Sequence, residues 1–156
     1  MHMDGEIRVR TDERHGDIYK DLRNFAFGDM HEIFLLCVIL GYKANRKKPL
    51  GKSGEDRFRS HTITPEEWSC YYAVMLEPRQ MDFNSIQNDK DVIGEMEEYA
   101  NAGMEILLED VLQDFLVRAE KIPRLERGSS PELPKVILGF IYEKNRDGLN
   151  RETRDV

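Results

Sequence analysis

Few residues in this chain could do chemistry, and their spacing argues against it. Of the four histidines, His2, His15, His31 and His61, only His31 has a glutamate beside it, Glu32. No second histidine follows His31 four positions on, so the helical zinc-hydrolase motif is absent. Glu105 stands one helical turn from Glu109 and two from Glu98. Carboxylates so placed can bind a divalent ion or share acid–base work. No Glu-x-x-His partner accompanies them, and a solvated acidic helix face is the simpler reading. Lys52-Ser53 follows Gly51 without the upstream glycine of a phosphate loop. There is no Gly-x-Gly-x-x-Gly loop and no Gly-x-Ser-x-Gly elbow, and Ser69-Cys70 has no histidine nearby in sequence. Cys37 and Cys70 sit in apolar stretches without a CxxC spacing, which points to reduced, buried thiols in a cytosolic protein. The expectation is a protein that is not an enzyme, with no catalytic residue, no metal ligands and no cofactor.

Charge is the stronger signal. The net charge is −7 over 156 residues, which argues against a general nucleic-acid binder. The charge is segregated, however. Between Lys43 and His61 lie Lys43, Arg46, Lys47, Lys48, Lys52, Arg57 and Arg59, opposed only by Glu55 and Asp56. From Glu77 to Asp114 there are eleven acids against Arg79 and Lys90. The seven cations could contact the phosphates of DNA, with Tyr42 and Phe58 stacking on bases, or face an acidic protein partner. The plainest reading is a loop that neutralises the protein's own acidic helix. Trp68, Tyr71 and Tyr72 follow the basic segment and read as core or as a subunit interface, where Trp and Tyr are favoured.

These residues must be positioned by helices. Ile18, Leu22, Phe25 and Ala26 recur at helical spacing within Asp17–Phe27. A second, central helix spans 29–40. Asp29 is its expected cap, with Glu32 completing a capping box, and Gly41 is the expected stop. Its run Ile33-Phe34-Leu35-Leu36-Cys37-Val38-Ile39-Leu40 is apolar on nearly every side, which places it in the core. Eight residues are too few to cross a membrane, which takes about 20. Residues 43–62 read as a long loop broken by Pro49, Gly51, Ser53 and Gly54. Thr64-Pro65-Glu66-Glu67 is a strong helix start, with Pro78 as its end. The longest helical pattern covers 86–120. Gly103 within it marks either a close helix–helix contact or a joint between two helices. Ser130 and Pro131 predict one more start, and Val136–Tyr142 is compatible with helix or strand. The expected fold is mostly α, a compact single domain over 17–145. It has an N-terminal arm at 1–16, where alternation at Glu6–Arg10 allows a short edge strand, and a polar, flexible tail at 146–156.

Two segments are similar to a known family. One is Met30-His31-Glu32-Ile33-Phe34-Leu35-Leu36-Cys37-Val38-Ile39-Leu40-Gly41-Tyr42-Lys43 with Arg46-Lys47-Lys48-Pro49-Leu50. The other is Glu98-Tyr99-Ala100-Asn101-Ala102-Gly103-Met104-Glu105-Ile106-Leu107. In order and spacing they resemble the Dnd system-associated protein 4 family, small proteins encoded with bacterial DNA phosphorothioation systems, over roughly Asp17 to Val117. The resemblance implies a bacterial cytoplasmic accessory protein in phage defence or DNA modification-dependent restriction, with other proteins of the same system as partners. It carries over no catalytic residues. A homo-oligomer, and DNA held through the 43–61 loop, are the other expected associations.

Overall fold

A computed structural model describes residues 6–26, 28–86, 88–118, 120–128 and 131–154. In chain order the elements are β1 (Arg8–Asp12), α1 (Gly16–Phe25), α2 (Met30–Lys43), β2 (Gly54–Arg59), α3 (Pro65–Leu76), α4 (Asp89–Leu107) and α5 (Leu133–Arg154), with short 3-10 turns between several of them. The fold is mostly α, with one two-stranded antiparallel sheet, β1–β2.

The centre of the molecule is the crossing of α2 and α4. Ile33, Phe34, Cys37 and Val38 of α2 are fully buried, as are Val92, Met96, Met104 and Leu107 of α4. Fully burying a side chain such as Phe34 or Leu107 contributes about 1.5–3 kcal/mol. Two glycines set the distance between the helices. A Cβ on Gly103 would lie 1.7 Å from the carbonyl oxygen of Cys37, and one on Gly41 would lie 2.1 Å from that of Tyr99. Gly103 is therefore a close contact and not a joint, since α4 runs through it unbroken. Gly41 is not a helix stop. α2 continues to Lys43, and the chain turns at Asn45, which takes φ 54°. The glycine sits inside the helix because the neighbouring backbone leaves no room for a side chain.

Other helix boundaries follow local rules in part. Thr64 caps α3, and the Thr64–Glu67 box is complete, with Pro65 in the first turn. A cap of this kind is worth about 1 kcal/mol. Asp29 occupies the cap position of α2, but its side chain makes no capping hydrogen bond, so the Asp29–Glu32 box does not form. The Asp29 carboxylate instead lies 3.5 Å from His31 Nε2. α4 starts at Asn88, whose side chain accepts from the Asp91 N–H. It ends in a π-helical turn, Leu108–Leu112, and a 3-10 turn to Phe115. Val136–Tyr142 is helical, and Pro134 falls in the first turn of α5. Pro131 precedes that helix and does not open it. Ser130 and Phe27 lie outside the described residues. The backbone of α5 runs on to Arg154, past Asn145.

The segment expected as one long loop contains β2. It pairs with β1 in the register Arg8↔Arg59, Val9↔Phe58, Arg10↔Asp56, with a bulge that leaves Arg57 as the extra residue. Of the two readings of the N-terminal stretch, the strand is the one that Arg8–Asp12 adopts. Gly54–Arg59 carries one apolar residue, Phe58, so no alternation announces the strand. Phe58 meets Phe34 edge-on at 5.3 Å, and its cross-strand partner Val9 is fully buried.

Candidate interaction surface

The basic segment does not project from the fold. After Asn45, the chain turns back onto α2, where the Arg46 N–H donates to the Gly41 carbonyl. It then lies along α4. The Lys48 N–H donates to the Glu98 carbonyl at 3.0 Å. The side-chain amide of Asn101, itself 2 % exposed, donates to the carbonyls of Lys48 and Pro49 at 3.0 and 3.4 Å. Asn101 clamps the loop where Gly103 admits α2. The two segments that carry the family resemblance are thus the two that touch.

The side chains follow the backbone. Lys47 Nζ lies 2.6 Å from Glu95 and 5.2 Å from the centre of the Tyr99 ring. Its hydrogen bond to Glu95 raises the ammonium pKa. Glu95 also holds Arg79 at 2.9 Å. Lys48 reaches Glu105 at 3.5 Å. The same carboxylate receives Arg14 at 3.2 Å and the buried His15 at 3.1 Å. Burial lowers the His15 pKa more than Glu105 raises it, so this histidine is packed neutral, and its share of stability is lost as pH falls below about 6.5. Arg59 and His61 both pair with Glu6.

Arg57 is the extreme case. The β-bulge turns its side chain inward, as bulges re-aim side chains. The side chain is 3 % exposed, its Nε donates to Thr11 Oγ1 at 2.8 Å, Nη1 pairs with Glu55 at 3.2 Å, and the guanidinium lies over the Tyr19 ring. Lys43, Arg46 and Lys52 are exposed. Of the seven expected phosphate contacts, Arg46 and Lys52 have no carboxylate partner and no ring contact among the described residues.

Beside Lys47 is an open groove of about 830 Å³, bordered by Lys47, Arg79, Lys90, Asp91, Glu95 and Glu98. Three cations alternate with three carboxylates there, so the groove carries no single-sign potential to draw in a polyanion.

The aromatic trio separates. Tyr71 is fully buried and Trp68 is 9 % exposed. Tyr71 stacks edge-on against Phe34 at 6.1 Å and Trp68 at 6.3 Å, and burial drives its hydroxyl pKa well up. Tyr72 is half-buried, and its hydroxyl donates to Asp89. Tyr71 is therefore core, in contrast to the interface reading, because α3 packs that face on α2. The exposed apolar side chains on this side of the sequence are others, Met81 at 56 % and Phe83 at 69 % exposed. Met81 lies in, and Phe83 just after, a turn in which both Gln80 and Met81 take positive φ, 54° and 60°, a conformation that costs a non-glycine residue about 1 kcal/mol or more. No periodicity in the sequence singles them out.

A second polar cluster ties α2 to α3. His31 Nδ1 donates to Glu67, lying 2.8 and 2.9 Å from its two oxygens. Glu67 also accepts the Thr64 N–H in the capping box. Asp29, His31 and Glu32 bring donor atoms within 4.8 Å of one another. They occupy the first turn of α2, where the helix dipole favours carboxylates and opposes a bound cation. The arrangement joins two helix starts.

Glu97 is the most perturbed carboxyl in this region. Burial pushes it up to about 7, with Asp56 and Glu98 adding to the rise. The Arg10 N–H, which donates to it at 2.6 Å, and the Arg10 charge work the other way. A raised carboxyl pKa means that folding takes up a proton, so this group's contribution to stability is complete below about 4.5 and is lost as pH rises to about 7. Glu97→Gln, which keeps an acceptor for Arg10, should match wild-type stability at pH 4 and exceed it at pH 8. The gain should be about 1–2 kcal/mol once solvent screening is allowed for. Urea titrations of both proteins at the two pH values measure this, and equal stabilities at pH 8 would contradict the assignment.

Among the described residues no single helix is long and apolar enough to cross a membrane. Fold and surface together define a small, mostly helical protein in which Lys47, Lys48, Arg57 and Arg59 pair with the protein's own carboxylates. The model of the DNA sulphur modification system-associated protein 4 family matches residues 8–125, and the chain belongs to that family. No curated protein and no solved structure matches the chain.

Proposed function

We propose that this protein is a non-enzymatic accessory subunit of a bacterial DNA phosphorothioation-associated defence system, active against phage in the cytoplasm through contacts with other proteins of that system. One observation carries the reading. The cations of the 43–59 segment that looked available to DNA are largely neutralised by the protein's own carboxylates, through Lys47–Glu95, Lys48–Glu105, Arg57–Glu55 and Arg59–Glu6. Exposed apolar surface remains at Met81 and Phe83 on a strained turn, as suits a protein contact more than a phosphate backbone.

The test is co-expression with the other proteins of the modification system, followed by purification through a tag on this chain. A defined member of the system should co-purify, and Phe83→Asp should release it while leaving the fold intact by circular dichroism. In parallel, duplex DNA is titrated by fluorescence anisotropy at several salt concentrations. The accessory reading expects weak, sequence-independent binding. Direct DNA contact expects tight binding whose logarithm falls with log salt by about 0.9 per phosphate contact, and its loss when Arg46, Lys47 and Lys48 become Ala. That second pattern, with no protein recovered, would replace the first reading.

A further inference from the structure

α5 has two opposite faces. Leu133 and Ile137 are buried at 0 % and 1 %, Phe140 and Ile141 pack against the core beside them, and the helix rests on the π turn that ends α4. Lys144 lies back over the Phe140 ring at 5.4 Å. The other face carries Lys135, Leu138 and Tyr142 at i, i+3 and i+7, one stripe of a helix. Leu138 and Tyr142 are each 66 % exposed, and Val136 at the stripe's edge is 37 % exposed. Gly139 lies between them with no heavy atom within 4 Å of its Cβ position. All of this is outside residues 8–125, the part matched by the family model.

We propose that the outer face of α5 docks a second copy of this chain, with the two helices antiparallel and crossing at Gly139. The choice of occupant rests on charge and shape. In an antiparallel pair centred there, Leu138 of one copy meets Tyr142 of the other, and Gly139 lets the helices approach. Lys135, at one end of the stripe, comes opposite Glu143 of the second copy, and the two-fold axis repeats that pair at the other end. A parallel pairing in register would set Lys135 against Lys135 and Glu143 against Glu143, which repel. The stripe is short, so the contact falls well below the about 1,600 Å² of a standard interface. A contact of that size belongs with weak, transient associations, for which a Kd on the order of 10–100 µM is the value to test. This inference does not depend on the proposed role in a defence system and is measured on the purified chain alone.

Sedimentation velocity of the full chain from about 5 to 500 µM tests it. The wild type should pass from monomer to dimer over that range. Lys135→Glu and Glu143→Lys should each shift the midpoint upward at least fivefold. The double variant Lys135→Glu/Glu143→Lys should return it to the wild-type value, a recovery that loss of folding cannot mimic. Leu138→Asp should stay monomeric with an unchanged thermal melt. A wild type that is monomeric at 500 µM would overturn the proposal, as would a dimer that survives Leu138→Asp or a double variant no better than the singles.

Discussion

Replacing Gly103 by Ala should lower the thermal midpoint by roughly 6–12 °C, a loss of about 3 kcal/mol. Intrinsic helix propensity predicts the opposite sign, because Ala is better than Gly in a helix interior by about 1 kcal/mol. Packing wins because the added methyl would stand 1.7 Å from the Cys37 carbonyl oxygen and 2.6 Å from its carbon. Those are backbone atoms of a helix that is itself buried, so no side chain can rotate away. α2 and α4 must separate, and the contacts of Cys37, Met104 and their neighbours loosen with them. The same helix supplies the control. A Cβ on Gly94 meets nothing within 4 Å, so Gly94→Ala should raise stability by about 0.5–1 kcal/mol. Thermal melts of the two variants beside wild type measure both. Two stabilising changes would mean that helix propensity, and not the crossing, governs α4.

Arg57→Ala should cost about 2–3 kcal/mol, while Arg46→Ala and Lys52→Ala should each stay within about 0.5 kcal/mol of wild type. All seven basic residues of the segment look alike in sequence, and the structure sorts them. Arg57 loses its hydrogen bond to Thr11, its pairing with Glu55 and its place over the Tyr19 ring. Its long apolar stem also leaves a void in a buried site. Thr11, 3 % exposed, is left with a hydroxyl deprived of that partner. Arg46 and Lys52 extend into solvent, where removal of a charge has little effect on folding. Chemical denaturation of the three variants checks the ordering. A silent Arg57→Ala would mean that the guanidinium does not support the sheet and would return it to the set of residues available to a partner.

Some of this architecture is legible without coordinates because its causes are local. The Thr64–Glu67 capping box with Pro65 needs four consecutive residues, and it forms as expected. The apolar run from Ile33 to Leu40 has no polar face to give to water, so it becomes the core helix. Other elements read wrongly for an equally definite reason. Gly41 has the composition of a stop, yet its role is set by Tyr99, which is distant in sequence and adjacent in space. Asp29 and Glu32 have cap spacing, but the Asp29 carboxylate turns to His31, whose other nitrogen is held by Glu67 from the start of α3. β2 is invisible to alternation because a bulge places both Arg57 and Phe58 against the interior.

By itself the sequence determined the mostly helical class, the central apolar helix, the absence of a recognisable catalytic motif and the segregation of basic from acidic residues. Each depends on composition or on spacings of a few residues, which helical geometry converts directly into faces and caps. Only the tertiary structure decided what the segregated charges do. Lys47 and Glu95 are 48 residues apart in the chain, and Lys48 and Glu105 are 57 apart. Whether such pairs meet depends on how closely α2 approaches α4, and that distance is set by the absence of side chains at Gly41 and Gly103. Coulomb attraction acts through space and not along the chain, so Lys47 and Lys48 would have joined Arg46 and Lys52 in a basic surface had the crossing been wider.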